Sequence, residues 1–296
     1  MTTGGSVTEI DLVPPNAPAI HADVHSPDGP SRGTVLIAHG FLGYKDYGMF
    51  PSIARSIAEA GWCGVRFNFA HSGMSRNTDT FEHADRFARS TWNRQVEDLH
   101  FLQNSIREGM IAGTNPDGPI VLLGHSRGGT AVILAAGRAF AENSGGLPRP
   151  DGVIALAAPA DCDRYDDDTR KAFLKQGFTS VMSNRTGQEL RIHREFLDEI
   201  AGDPVGHDVQ GMIGHVACPV LLVHGEQDPT VPVSDVDRLA ASATSSRDLR
   251  EIRISGGNHV LNVSNPLPED ESSSQLDEFT AAVRVVLGAI GEQGRS

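Results

Sequence analysis

The stretch Gly124-His125-Ser126-Arg127-Gly128 places one hydroxyl between two glycines, where the apolar run PIVLLGHS gives way to the alanine-rich GGTAVILAAGRA. A serine there can be an ordinary helix cap, or a nucleophile held on a sharp strand-to-helix turn. Partners elsewhere decide between these, because a hydroxyl is a weak nucleophile at neutral pH and needs a base that is itself oriented. Among twelve histidines, His259 in Gly256-Gly257-Asn258-His259 is the candidate base, since it follows the last strand-like run in a loop with glycine freedom. Asp228 in HGEQDPTVP is the candidate acid, in a loop closed by Pro229 and Pro232, with Glu226 as its nearest rival. Its carboxylate would fix the imidazole tautomer and stabilise the imidazolium that forms.

The remaining histidines sort by position. His125 adjoins Ser126 on the turn and is expected to point away from Oγ and pack. His39 and His224 end strands and read as hydrogen-bonded supports, while His193 is either core or a substrate contact. Acyl chemistry also needs backbone N–H donors for a developing oxyanion. Arg127, just after the serine, supplies one amide, and Phe41 in His39-Gly40-Phe41-Leu42-Gly43 supplies the second.

Elements that can position these groups alternate along the chain. After an expected hairpin, VTEIDLV and AIHADVHS, come TVLIAHG, CGVRFNF, PIVLLGHS, GVIALAAPA, PVLLVHGEQD and LREIRISGG. Separated by segments of helical period, these predict an α/β fold with a mostly parallel eight-stranded sheet, helices on both faces, and the site at the strands' carboxyl ends. Trp92, Val96, Leu99, Phe101, Leu102 and Ile106 recur at helical spacing, as do residues in Phe50–Ala60, Val233–Ala243 and Gln275–Ile290. Residues 161–217 separate two strand-like runs by far more than the usual connection of about 2–6 residues. They predict a small helical cap inserted into a core formed by 1–160 and 218–296. Within it, KAFLKQGF and DVQGMIGHV are expected helices, and Leu190, His193, Leu197 and Ile200 of QELRIHREFLDEI share one helical face. The ends, MTTGGS and GEQGRS, are expected to fray.

Composition narrows the partners. With 25 Lys+Arg against 38 Asp+Glu the chain carries a net charge of −13, and no basic patch interrupts it, so neither nucleic acid nor an anionic membrane is expected. Cys63, Cys162 and Cys218 are odd in number, widely spaced and outside any metal pattern; they read as buried thiols of a cytoplasmic protein. No metal or cofactor is expected, and assembly, monomer or homodimer, is left open.

HGFLG, GHSRGG, HGEQDPTVP and GGNH, in this order, resemble the α/β-hydrolase superfamily over nearly the whole chain. The segment HGFLGYKDYGMFPSIARSIAEAGWCGVRFNFAHSGMS is similar to the opening of bacterial carboxylesterases of the cinnamoyl (feruloyl) esterase and dienelactone-hydrolase-like group. The resemblance implies Ser126 as nucleophile, Asp228 as acid, His259 as base and the Phe41 and Arg127 amides as oxyanion donors. Two positions depart from it: Arg127 stands where relatives often carry Met or Gln, and FNFAHSGMS replaces an Asp-x-x-Gly-x-Gly pattern. The Arg127 side chain is expected either at the surface or in an ion pair, or as a source of positive charge near the site.

The implied activity is hydrolysis of a small-molecule carboxylic ester through an acyl-enzyme. An acyltransferase, a peptidase, a perhydrolase or a carbon–carbon bond hydrolase could use the same triad, and a hydrolase-like binding protein could retain it without turnover. Specificity would lie in the insertion, where Phe173, Phe178, Met182, Phe196 and Met212 are either apolar walls of the pocket or the cap's own core.

Overall fold

The computed structural model describes residues 5–141 and 145–293. The ends expected to fray therefore lie partly outside the described residues. Strands β1 (Val7–Leu12), β2 (Ile20–His25), β3 (Thr34–Ala38), β4 (Cys63–Phe67), β5 (Ile120–His125) and β6 (Gly152–Leu156) join β9 (Val220–Gly225) and β10 (Leu249–Ile254) in one eight-stranded sheet. Its order is β1-β2-β4-β3-β5-β6-β9-β10. The hairpin β1–β2 joins β4 antiparallel, and every pairing from β4 to β10 is parallel.

Alternation along the buried strands builds two cores. In β3, Leu36 and Ala38 face α3 (Trp92–Arg107), α4 (Arg127–Phe140), α7 (Val209–His215) and α8 (Ser234–Ser242), while Val35 and Ile37 face α1 (Phe50–Glu59) and α9 (Ser274–Gln293). Helices thus cover both faces, as a parallel sheet with two apolar sides requires. The apolar stripe predicted from Trp92 to Ile106 is the buried face of α3, whose N-cap Thr91 accepts from the Arg94 amide. A short α2 (Ala84–Phe87) lies just before it. Among the described residues, no helix is long and apolar enough to cross a membrane.

Between β6 and β9 the chain forms α5 (Asp167–Gln176), β7 (Phe178–Met182), β8 (Glu189–His193), α6 (Glu195–Gly202) and α7. The single helix expected over QELRIHREFLDEI is instead a strand followed by a helix. Leu190 and Ile192 are buried and their neighbours Glu189 and Arg191 exposed, the two-residue period of a strand, and β8 pairs with β7 in the register Phe178↔His193 to Met182↔Glu189. The segment between β6 and β9 is therefore helical with a two-stranded hairpin inside it. At its far end α7 seats Met212 on α4, at Gly137, where a Cβ would come within 2.4 Å of the Met212 carbonyl oxygen.

Candidate active site

Ser126 separates β5 from α4 with φ +54° and ψ −123°, a backbone state costly for any residue with a Cβ. Its amide donates to the Leu156 carbonyl at 2.8 Å, which ties the turn to β6. The flanking glycines are sterically required. A Cβ on Gly124 would lie 2.2 Å from the Gly128 carbonyl oxygen, and one on Gly128 would lie 2.4 Å from that of Ala38. Crowding of this kind presses the start of α4 against β3 and β5 and sets Ser126 above the sheet.

Asp228 and His259 follow β9 and β10, the two strands beyond β6 toward the sheet edge. His259 Nδ1 lies 2.7 Å from Asp228 Oδ2, and the Asp228 side chain is 0% exposed against 17% for His259. The second carboxylate oxygen, Oδ1, accepts the Thr230 amide at 2.7 Å and the Val231 amide at 3.0 Å. His224 Nε2 sits 3.3 Å from Oδ2 and 3.0 Å from the Val231 carbonyl. Burial pushes the Asp228 carboxyl up, but the hydrogen bonds from His224, His259 and the two amides outweigh it and hold the group well below the ordinary carboxylate range. Asp228 is therefore a fixed anion facing an imidazole. Glu226, the rival acid, is exposed and has no part in this network.

Beside the serine, Gly40 to Gly43 form a turn closed by the Gly43 amide on the Gly40 carbonyl at 3.1 Å, with Leu42 at φ +57°. A Cβ on Gly40 would approach Ser126 Cβ to 3.1 Å, so the turn carrying Phe41 lies against the serine. Arg127 is the first residue of α4, and its amide is one of the four that a helix start leaves without an intrahelical acceptor. His39 holds the turn from behind: Nδ1 bonds the Gly40 carbonyl at 2.9 Å and Nε2 accepts the Phe69 amide at 3.3 Å. Burial pushes His39 down to about 4 and His125 to about 3, so both are neutral rings. His125 packs on Phe50 and bonds the His259 carbonyl at 2.8 Å.

Ser126, His259 and the Phe41 turn line one cavity of about 230 Å³, closed on the insertion side by Met182 to Arg185. A second cavity, of about 250 Å³, also reaches Ser126 and is walled by Phe41, Arg127, Tyr165 and Phe196. Of the five apolar side chains singled out in the insertion, Met182 lines the first cavity and Phe196 the second, whereas Phe173 and Met212 are core. Phe178 lies on the hairpin under Arg191. His193 ends β8 and lines neither cavity. Of the two readings of Arg127, the surface or ion-paired one fails: its side chain is buried, lines the second cavity, and among the described residues has no carboxylate within 4.0 Å. Three aromatic rings surround the guanidinium instead, and nothing in the local sequence announces them. Nor, among the described residues, do three or more His, Cys, Asp or Glu side chains come together to hold a metal.

The profile described as the alpha/beta hydrolase family matches residues 17–269. The chain belongs to the alpha/beta hydrolase family. This alpha/beta hydrolase is 24% identical over 282 residues to a monoacylglycerol lipase of Mycolicibacterium smegmatis, covering 88% of this chain and 90% of the relative. Among solved structures it is similar to Est1E of Butyrivibrio proteoclasticus with ferulic acid bound, at TM-score 0.64 and 17% identity over 91% of this chain and 94% of that one. It is also similar to the dienelactone hydrolase of Anabaena variabilis, at TM-score 0.59 and 13% identity over 96% and 97%. The fold and the esterase-like resemblance read from HGFLG, GHSRGG, HGEQDPTVP and GGNH agree with these relatives.

Proposed function

We propose that this alpha/beta hydrolase cleaves carboxylic esters through an acyl-enzyme on Ser126. The observation that carries the reading is the 2.7 Å contact of His259 Nδ1 with the buried Asp228 carboxylate, beside a cavity shared by His259 and Ser126. With Nδ1–H committed to Asp228, His259 Nε2 is the free base. It takes the Ser126 proton as Oγ attacks the ester carbonyl, and the Phe41 and Arg127 amides receive the oxyanion. The imidazolium then protonates the leaving alcohol, and a water activated by the same nitrogen releases the acid and regenerates Ser126. Relatives named as a lipase support an ester as substrate. Three free, buried thiols, pushed up to about 12 by burial, support a cytoplasmic setting.

The test is hydrolysis of short-chain 4-nitrophenyl esters and labelling by a fluorophosphonate probe. Ser126→Ala is expected to abolish labelling and to lower kcat by more than about 10⁴-fold, with an unchanged circular dichroism spectrum. Wild-type protein that neither hydrolyses nor labels overturns the reading.

A further inference from the structure

Ser126 borders both cavities, and Phe41 stands in the wall of each, but His259 lines only the first. In the acyl-enzyme chemistry on which this inference rests, the imidazole that takes the serine proton hands it to the leaving alcohol. The alcohol therefore departs on the His259 side, and the acyl chain is left to the second cavity.

That cavity contains a cation with no carboxylate in contact with it among the described residues. The Arg127 side chain lies in its wall at only 8% residue exposure, with Cζ 4.7 Å from the ring centroid of Trp92, 5.0 Å from Phe196 and 5.6 Å from Phe41. Nε donates to Gln95 Oε1 at 3.1 Å and Nη2 to the Ser90 carbonyl at 3.4 Å, both neutral acceptors. Among the described residues Nη1 has no partner. Burial pushes the guanidinium down to about 10, which leaves it protonated at neutral pH. The other charges nearby do not pair with it: Glu199, whose field reaches the guanidinium, spends its carboxylate on the Trp92 and Asn93 amides at 2.6 and 3.1 Å, Asp161 is held by Arg238 at 2.6 and 2.8 Å, and Arg164 donates to the Thr230 carbonyl at 3.2 Å. The cavity next to the serine thus has an excess of positive charge in a chain whose net charge is −13. A buried, unpaired cation is costly, and aromatic faces offset only part of that cost while fixing the guanidinium in place.

The geometry points to an acyl group that brings its own carboxylate: the substrate is a half-ester of a dicarboxylic acid, with the free carboxylate seated on the Arg127 guanidinium. Attack by Ser126 releases the alcohol, and water then cleaves the acyl-enzyme to the dicarboxylate. Arg127 selects the substrate through its side chain and binds the oxyanion through its amide.

Competition against hydrolysis of 4-nitrophenyl acetate tests this without requiring the competitor to turn over. Monoethyl succinate, glutarate and adipate are compared with ethyl butanoate, pentanoate and hexanoate, the neutral esters of equal acyl length. For at least one length the half-ester is expected to compete about 10- to 100-fold more strongly, the worth of one charge-assisted hydrogen bond. That quotient, taken within each enzyme, is expected to fall to one or below in Arg127→Met and to survive in part in Arg127→Lys. A wild-type quotient of one or less at every length overturns the inference and leaves the esterase reading intact, whether or not the variants fold. So does an unchanged quotient in Arg127→Met. Absence of 4-nitrophenyl acetate hydrolysis by wild type overturns both.

Discussion

Asp228→Asn separates the two jobs of one carboxylate. Oδ1 holds the loop through the Thr230 and Val231 amides at 2.7 and 3.0 Å, and Oδ2 faces His259 Nδ1 at 2.7 Å. Asparagine keeps an oxygen for the two amides and turns an NH₂ toward the imidazole. Two donors cannot share that contact, so His259 must accept at Nδ1 and carry its proton on Nε2, the atom that has to take the proton of Ser126. The base is then blocked in its resting tautomer, and the anion that would stabilise the imidazolium is gone. The expected loss in kcat is about 10³- to 10⁴-fold, or roughly 4–5.5 kcal/mol of transition-state stabilisation. Steady-state hydrolysis of 4-nitrophenyl acetate reads the loss, and the rate of fluorophosphonate labelling should fall in parallel. Stability to thermal unfolding should fall by no more than about 1–3 kcal/mol, because the Thr230 and Val231 contacts survive while the bonds from His224 and His259 to Oδ2 are lost. An Asn variant whose kcat stays within about tenfold of wild type refutes the assignment of Asp228 as the orienting acid.

Two further outcomes follow from the packing around the serine. Gly128→Ala drives a Cβ to 2.4 Å from the Ala38 carbonyl oxygen and 2.5 Å from that of His39, both backbone atoms; the turn must shift, costing about 1–3 kcal/mol in chemical denaturation together with a clear drop in kcat. His39 is held near pH 4 by burial, below the ordinary value of 6.5. Its folded-state value is depressed, so the stability it contributes is present above about pH 6.5 and is lost as pH falls toward 4, at up to about 1.4 kcal/mol per pH unit. Urea titrations at several pH values should therefore show a shallower acid-side slope in His39→Gln than in wild type, and equal slopes would contradict the buried neutral ring.

The parts of this molecule that were legible in sequence are those where one local signal has one structural meaning. Gly124 and Gly128 around Ser126 announce a turn with no room for side chains, and the apolar runs before Ser126, Asp228 and His259 are strands because each ends in a polar, glycine-bearing loop. The strip QELRIHREFLDEI was ambiguous, since Leu190, His193 and Leu197 fit a helical face while Leu190 and Ile192 fit a strand. The hairpin partner Phe178–Met182, which settles it, is itself only five residues long. The surroundings of Arg127 were illegible for a different reason. Trp92 and Phe41 lie far upstream and Phe196 far downstream, so the aromatic cage exists only after three separate elements meet.

The strand order also divides the labour unevenly between secure and insecure parts of the sheet. Ser126 follows β5, a strand bonded on both sides, whereas His259 follows β10, which among the described residues pairs only with β9. An edge strand is among the first elements to open when the native state fluctuates. If the proposed roles hold, heating should displace His259 from its place before Ser126, and hydrolysis should stop while most of the backbone is still folded. The molecule's thermal limit as a catalyst is then set by how firmly β10 is fastened, not by the depth of its core.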